Sequence, residues 1–326
     1  MKVVRAHEYG PPEILRIDDV RPRDPGPGEV RIALRACAVN FPDILSTGGT
    51  YQHKPPFPFS PGREAAGDIV AVGTGVSDVR EGDRVMVWCG HDYDGYAEEV
   101  TLPASRAYPL PDSMDYVEGA GFFLVYGTAW HGLVDRGGLQ SGEVLAIHGA
   151  SGGVGIAAVQ VARALGGDVI ASAGSHEKLE FVCAQGANHL INYRNDDVRQ
   201  RLKDLTNGRG VDVVFDTVGG DVFRASLSAI AREGRILIVG FTSGIHPQAP
   251  TNIVLVKWAS LIAVRFGQFI ETYPDETRAN HARLLEMYSA GQLTPIVGRT
   301  YPLEQAVDAL KALQNREITG KIVLTT

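Results

Sequence analysis

The stretch HGASGGVG, residues 148–155, has the spacing that points most directly to chemistry. It follows an apolar run, EVLAIHGA (143–150), and opens an amphipathic one, GVGIAAVQVARALG (153–166). A glycine-rich turn from strand to helix lets backbone N–H groups approach a pyrophosphate, and the helix N-terminus sets partial positive charge beside it. The pattern is A-x-G-x-x-G, with Ala150, Gly152 and Gly155 at its three fixed positions. Such turns also occur for packing alone, but further strand–helix units follow this one, so the loop is read as dinucleotide-binding. The choice of dinucleotide falls at the end of the next strand, where an NAD site usually carries Asp or Glu for the ribose 2′-hydroxyl. Here the chain reads ASAGSHEK (171–178), with small residues through Gly174 and no carboxylate at the strand end. Lys178 follows on the first helical turn, and Tyr193 and Arg194 lie just past the third strand. A cation and hydroxyls without an acid suit a 2′-phosphate, so NADPH is the expected cofactor. Glu177 is the counter-signal, and a solvated Lys178 is the competing reading.

These residues need a framework. From residue 143 strand-like and helix-like stretches alternate: strands at 143–150, 168–174, 189–193, 211–219 and 234–241, helices at 153–166, 176–186, 196–207 and 221–232. Each parallel crossover needs an intervening helix, so the series predicts a doubly wound parallel sheet. The first 110 residues differ, with short Val- and Ile-rich runs (30–39, 67–73, 82–88, 96–102) between Gly/Pro breakers and few helical periods. They read as an irregular β domain, with a change to helical spacing over 115–136. The tail carries helical stretches at 275–290 and near 303–315 and a last strand, KIVLTT. The expected domains are therefore 1–123, 124–262 as the Rossmann domain, and 263–326 returning to complete the first.

With 326 residues the chain has room for two domains. Its net charge of -7 argues against nucleic acid or an anionic membrane as partner. MKVVRAHEYG lacks the apolar run of a signal peptide, and no stretch has the ~18 apolar residues of a spanning helix, which predicts a cytoplasmic protein. Cys37, Cys89 and Cys183 are too few and too scattered for a disulfide framework or a CxxC metal knuckle.

Taken in order, MKVVRAHEYGPPEIL, PGPGEVRIALRACAVNFPD, HGASGGVGIAAVQVARALG, GVDVVFDTVGG, GRILIVGF and TGKIVL make the sequence similar to the zinc-independent quinone oxidoreductase branch of the medium-chain dehydrogenase/reductase superfamily, the group that includes zeta-crystallin. The resemblance covers nearly the whole chain. It implies a GroES-like catalytic domain, split around a Rossmann domain, with NADPH as hydride donor and electron-poor conjugated carbonyls as acceptors. It implies a homodimer formed by pairing Rossmann edge strands, for which the β-type run at 253–266 is the candidate. It also implies a phosphate loop at Gly152, Gly153, Val154 and Gly155, and a ribose and 2′-phosphate pocket at Gly174, Lys178 and Tyr193. The nicotinamide shelf falls on Gly240 and Phe241, with Thr128 below and Arg265 and Phe266 nearby. Asn40 would face the nicotinamide ribose or the substrate. Some relatives carry a tyrosine a few residues later, where this chain has Leu45; Tyr51 is the nearest phenol.

The same superfamily includes zinc enzymes, and PGREAAG (61–67) falls where those have a histidine. A catalytic zinc needs about three soft or borderline protein ligands and an open position. The matching positions hold Asn40 for a cysteine, Arg63 for a histidine, and Glu64, alone retained. The structural zinc lobe would need four closely spaced cysteines, and only Cys89 is present in that region. His53, His91 and His148 stand alone and are expected in surface or satisfied polar roles. Metal-dependent alcohol oxidation is therefore not expected. Arg63 and Glu64 are expected to pair with each other and stiffen the vacated region.

Hydride delivery to a quinone needs no Lewis acid, because the ring carbonyls already withdraw electron density. Positioning is then the protein's main task. Asn40 and Tyr51 are candidates to hydrogen-bond a developing oxyanion, with Asn40 as a mere ribose anchor as the alternative. Arg265 could attract an anionic group or simply be solvated. Quinone reduction is the leading expectation and reduction of an activated C=C bond the main rival. A crystallin-like or RNA-binding role is the remote one, disfavoured by the acidic balance.

Overall fold

Branched apolar residues fill the runs 144–148, 168–173, 211–216 and 230–238, and these become strands of a parallel sheet buried on both faces. The computed structural model describes residues 1–90 and 94–326. The chain divides into two units, Met1–Phe123 with Pro295–Thr326, and Leu124–Thr294.

In the second unit, among the described residues, six strands lie in the spatial order His189–Asn192, Asp168–Ala173, Val144–His148, Val211–Asp216, Ile230–Ile238, Ser260–Ala263. Every pairing is parallel. Numbered along the chain the order is 3-2-1-4-5-6, with its reversal between the first and fourth strands, the Rossmann arrangement. Helices Gly153–Ala164, His176–Ala184, Val198–Leu205 and Gly220–Ala229 make the crossovers.

In the first unit, among the described residues, seven strands form a largely antiparallel sheet. Its spine is Glu29–Val39, paired with Glu64–Val72, Glu99–Pro103 and the C-terminal strand Lys321–Thr325. Val30, Ile32, Leu34, Ile69, Val85 and Ile322 form part of its core. Among the described residues no helix is long and apolar enough to cross a membrane.

Three details depart from the sequence reading. The return to the first unit begins at Pro295, not at 263. Residues 263–294 stay with the Rossmann sheet because their side chains are anchored there. Phe269 stacks on His131 at 4.2 Å, Asn280 Nδ2 donates to Asp135 at 2.9 Å, and Thr294 N donates to Gln160 Oε1 at 2.9 Å. The run 253–266 is mostly not strand: Thr251–Lys257 is helix and only Ser260–Ala263 pairs, at the sheet edge. A short apolar run has no period that separates the two, and Pro250 sets a helix start. Finally, Phe41–Thr47 is a helix inside the otherwise β-rich unit.

Candidate active site

In the first unit the vacated metal positions are joined by buried charges from three chain segments. Val39 ends its strand opposite Ile322, which brings Lys321 beside Asn40. Lys321 Nζ donates to Val39 O at 3.1 Å, Asn40 Oδ1 at 2.7 Å and Glu64 Oε1 at 3.1 Å. Glu64 is completely buried and Lys321 only 5% exposed, so this ion pair is largely withdrawn from water. Asn40 Nδ2 donates to Glu64 Oε1 at 3.1 Å and to Ala38 O at 3.2 Å.

Arg63, also buried, meets different partners. Its Nε lies 3.7 Å from Asp43 Oδ1, its Nη2 donates to Ser46 Oγ at 3.3 Å, and its guanidinium sits 4.3 Å from the centre of the Tyr51 ring. The expected Arg63–Glu64 pair is therefore corrected: the ion pairs formed are Arg63–Asp43 and Lys321–Glu64. Adjacent residues of an extended strand point to opposite faces, which sends these two side chains apart. Asp43 Oδ2 accepts from Asn40 N at 2.8 Å and from Tyr96 Oη at 3.0 Å. Burial raises the Asp43 carboxyl above its usual range, against the lowering effect of Arg63; burial and Asp43 together push the Tyr96 phenol well up.

A zinc ion does not fit this donor set. The positions supply one amide and one carboxylate, both already bonded to an ammonium, and a second buried cation stands nearby. Cys37 and Cys89 are buried and burial raises both thiols well above their usual range, which disfavours a thiolate ligand.

In the second unit the phosphate loop leaves strand Val144–His148 and enters the helix at Gly152, whose N-terminus has no side-chain cap. A Cβ on Gly155 would come within 2.3 Å of Gly149 O, so only glycine permits this approach of helix to strand. His148 is 1% exposed and hydrogen-bonds Ser172 Oγ (2.8 Å) and Ser226 Oγ (2.7 Å); it is a satisfied polar residue of the interior. His53 is half-buried, and His91 lies outside the described residues.

A Cβ on Gly174 would meet Tyr193 Oη at 2.5 Å and Arg194 Nε at 3.3 Å. Gly174, Tyr193 and Arg194 thus share one surface recess at the end of strand Asp168–Ala173. Ser175 caps the next helix by accepting from Lys178 N at 3.3 Å, which sets Lys178 on its first turn. Gly240 and Phe241 follow strand Ile230–Ile238, with the Phe241 ring edge-on to His246 at 4.8 Å. Thr128 is half-buried on helix Phe123–Trp130. Arg265 is exposed at the start of the next helix. Phe266 is only 6% exposed, and its ring fills the space a Cβ on Gly127 would need. That ring is committed to the interior, which leaves mainly its backbone for a cofactor.

Sequence reasoning missed Lys321, although the motif TGKIVL contains it; nothing in its spacing joins it to residues 40 and 64. Asp43 was visible in NFPD only as an acid of unassigned role.

A 3-2-1-4-5-6 parallel sheet in a chain whose other unit is a β-rich domain split in sequence defines a medium-chain dehydrogenase/reductase. The alcohol dehydrogenase GroES-like domain family matches residues 26–112, and the zinc-binding dehydrogenase family residues 153–282. The chain is 36% identical over 326 residues to quinone oxidoreductase-like protein 2 homolog of Nematostella vectensis, covering all of this chain and 89% of that one. It is 32% identical to human quinone oxidoreductase, covering 99% of this chain and 97% of the relative. The crystal structure of Escherichia coli quinone oxidoreductase complexed with NADPH superposes with a TM-score of 0.94 at 30% identity, covering both chains fully. The chain belongs to the zinc-independent quinone oxidoreductase branch of the medium-chain dehydrogenase/reductase superfamily, and it is an oxidoreductase.

Proposed function

We propose that the protein reduces quinones with NADPH and without a metal. The observation that carries this reading is the pair of buried cations, Lys321 and Arg63, at the positions where a zinc enzyme gathers its ligands. A centre built this way supplies no Lewis acid to draw the proton from an alcohol, which favours an acceptor that is electron-poor already. The names of the human and Escherichia coli relatives agree with it.

NADPH, when bound, supplies the hydride from its nicotinamide ring. The protein's residues do the placing. Backbone N–H groups at Gly152, Gly153, Val154 and Gly155 offer an uncapped helix terminus to the pyrophosphate. Tyr193, Lys178 and Arg194 around Gly174 hold the ribose and its 2′-phosphate. Gly240, Phe241 and Thr128 form the shelf for the nicotinamide, with Arg265 and the Phe266 backbone beside it. Asn40 anchors the nicotinamide ribose. Tyr51, steadied on Arg63, offers its hydroxyl to a quinone oxygen. The reduced quinone takes its protons from water, so no side chain need act as a general acid.

A plate screen of NADPH consumption tests this. Turnover with 1,4-benzoquinone or 9,10-phenanthrenequinone and none with 2-alkenals or acrylates is expected; the reverse pattern would replace quinone reduction by reduction of activated C=C bonds. We also propose a homodimer through the edge strand Ser260–Ala263. Leu255 (74% exposed), Val256 (71%) and Trp258 (58%) present unusual apolar area beside it. Light scattering should find a dimer that Trp258→Glu dissociates; a monomeric wild type rejects it.

A further inference from the structure

An ammonium has three hydrogens, and Lys321 has three buried acceptors for them: Val39 O, Asn40 Oδ1 and Glu64 Oε1. Asn40 is equally constrained. Both hydrogens of its Nδ2 are given, to Ala38 O and Glu64 Oε1, and one lone pair of Oδ1 receives Lys321. An amide offers two hydrogens and two lone pairs, so a single site remains, the second lone pair of Oδ1. Asn40 is half-buried, which leaves that site within reach of a ligand. The arrangement resembles a metal centre in its electrostatics: one buried positive charge, held against Glu64, faces the residue that replaces a metal ligand.

We propose that Lys321 is the positioning residue of this centre, its ammonium taking the place of the metal's charge and locking Asn40 as a hydrogen-bond acceptor. Asn40 then receives a hydroxyl of the nicotinamide ribose and cannot donate to an oxyanion forming on the substrate. The assignment of the hydroxyl rests on the reading of Asn40 as a ribose anchor. Without the clamp the amide turns over, exchanging Oδ1 for Nδ2 and presenting a second donor where the ribose already has one.

The test is a binding cycle in the absence of any electron acceptor. NADPH dissociation constants are measured by fluorescence for wild type, Asn40→Ala, the paired variant Lys321→Met/Glu64→Gln, and the three together. Removing both charges avoids leaving a lone buried carboxylate. Asn40→Ala and the paired variant should each weaken NADPH by about tenfold, the scale of one hydrogen bond, and the triple variant by no more than either. With a saturable acceptor the loss should fall on the KM for NADPH and leave kcat nearly unchanged, as for an interaction made equally in ground and transition states. Unchanged affinity in either variant, or losses that multiply, overturns the proposal. So does a fall in kcat at constant KM, which would mark Asn40 as a donor to the oxyanion. Should the paired variant not fold, hydrogen exchange of the wild-type Asn40 side-chain amide decides: protection is expected, and exchange at the rate of a free amide refutes the lock. A wild type that binds NADPH but reduces no quinone removes the quinone reading while leaving the binding cycle intact.

Discussion

Arg63 occupies a metal-ligand position and has acquired work of its own. It neutralises Asp43, donates to Ser46 and carries the Tyr51 ring, so a residue that looks like a lost ligand in the sequence is a support for a phenol in the structure. The cofactor pocket makes a sharper prediction at this scale. Lys178→Ala and Arg194→Ala should each weaken NADPH about 10- to 100-fold, the range of a charge-assisted hydrogen bond, and leave NADH nearly untouched. Fluorescence titration with both nucleotides measures this, and equal losses for the two would remove the 2′-phosphate from this recess. The absence of an acid at the end of strand Asp168–Ala173 was legible because it depends on neighbours in sequence. Lys321 was not, because its meaning depends on a pairing 281 residues away from Asn40.

Among the elements, the unit from strand Val144–His148 to helix Gly153–Ala164 was readable in full, since its glycines have no other efficient use. Gly155→Ala should force the helix off the strand, because the new Cβ would meet backbone at Gly149 O (2.3 Å) and at Ala150 Cα (2.7 Å). The expected result is a melting temperature lowered by the equivalent of about 1–3 kcal/mol together with weaker dinucleotide binding. Wild-type values of both would show that the backbone adapts and that the glycine is not required. The elements read less well are those set by tertiary context. Thr251–Lys257 is a helix in an apolar run that equally suits a strand, and residues 263–294 join the Rossmann unit through His131, Asp135 and Gln160, contacts no local pattern announces.

At the level of the whole molecule, two buried histidines couple stability to pH. Burial lowers His148, and burial with Arg278 pushes His281 down to about 3. Both folded values lie below that of an unfolded histidine, near 6.5. The unfolded chain therefore takes up protons that the fold refuses, and stability falls as pH drops below about 6.5, for His281 down to about 3. Asp43 works in the opposite sense, its raised carboxyl losing stability as pH rises above the unfolded value of 3.8, so it does not add to the acid loss. Unfolding free energies between pH 7 and 5 should decline, and His281→Gln should reduce that slope by about 1.4 kcal/mol per pH unit. An identical slope in the variant would assign the acid sensitivity elsewhere.

The strand Lys321–Thr325 has a consequence for the order of events during synthesis. Asn40, Asp43 and Glu64 leave the ribosome early, and the ammonium that balances Glu64 arrives almost last. Until then the centre holds a carboxylate that cannot be buried without its counter-charge, so the nascent first unit should stay open along the edge where Val39 awaits Ile322. A polypeptide released before residue 321 would keep every residue of the dinucleotide loop and still lack the reducing centre. The last step of translation is thus a checkpoint on activity.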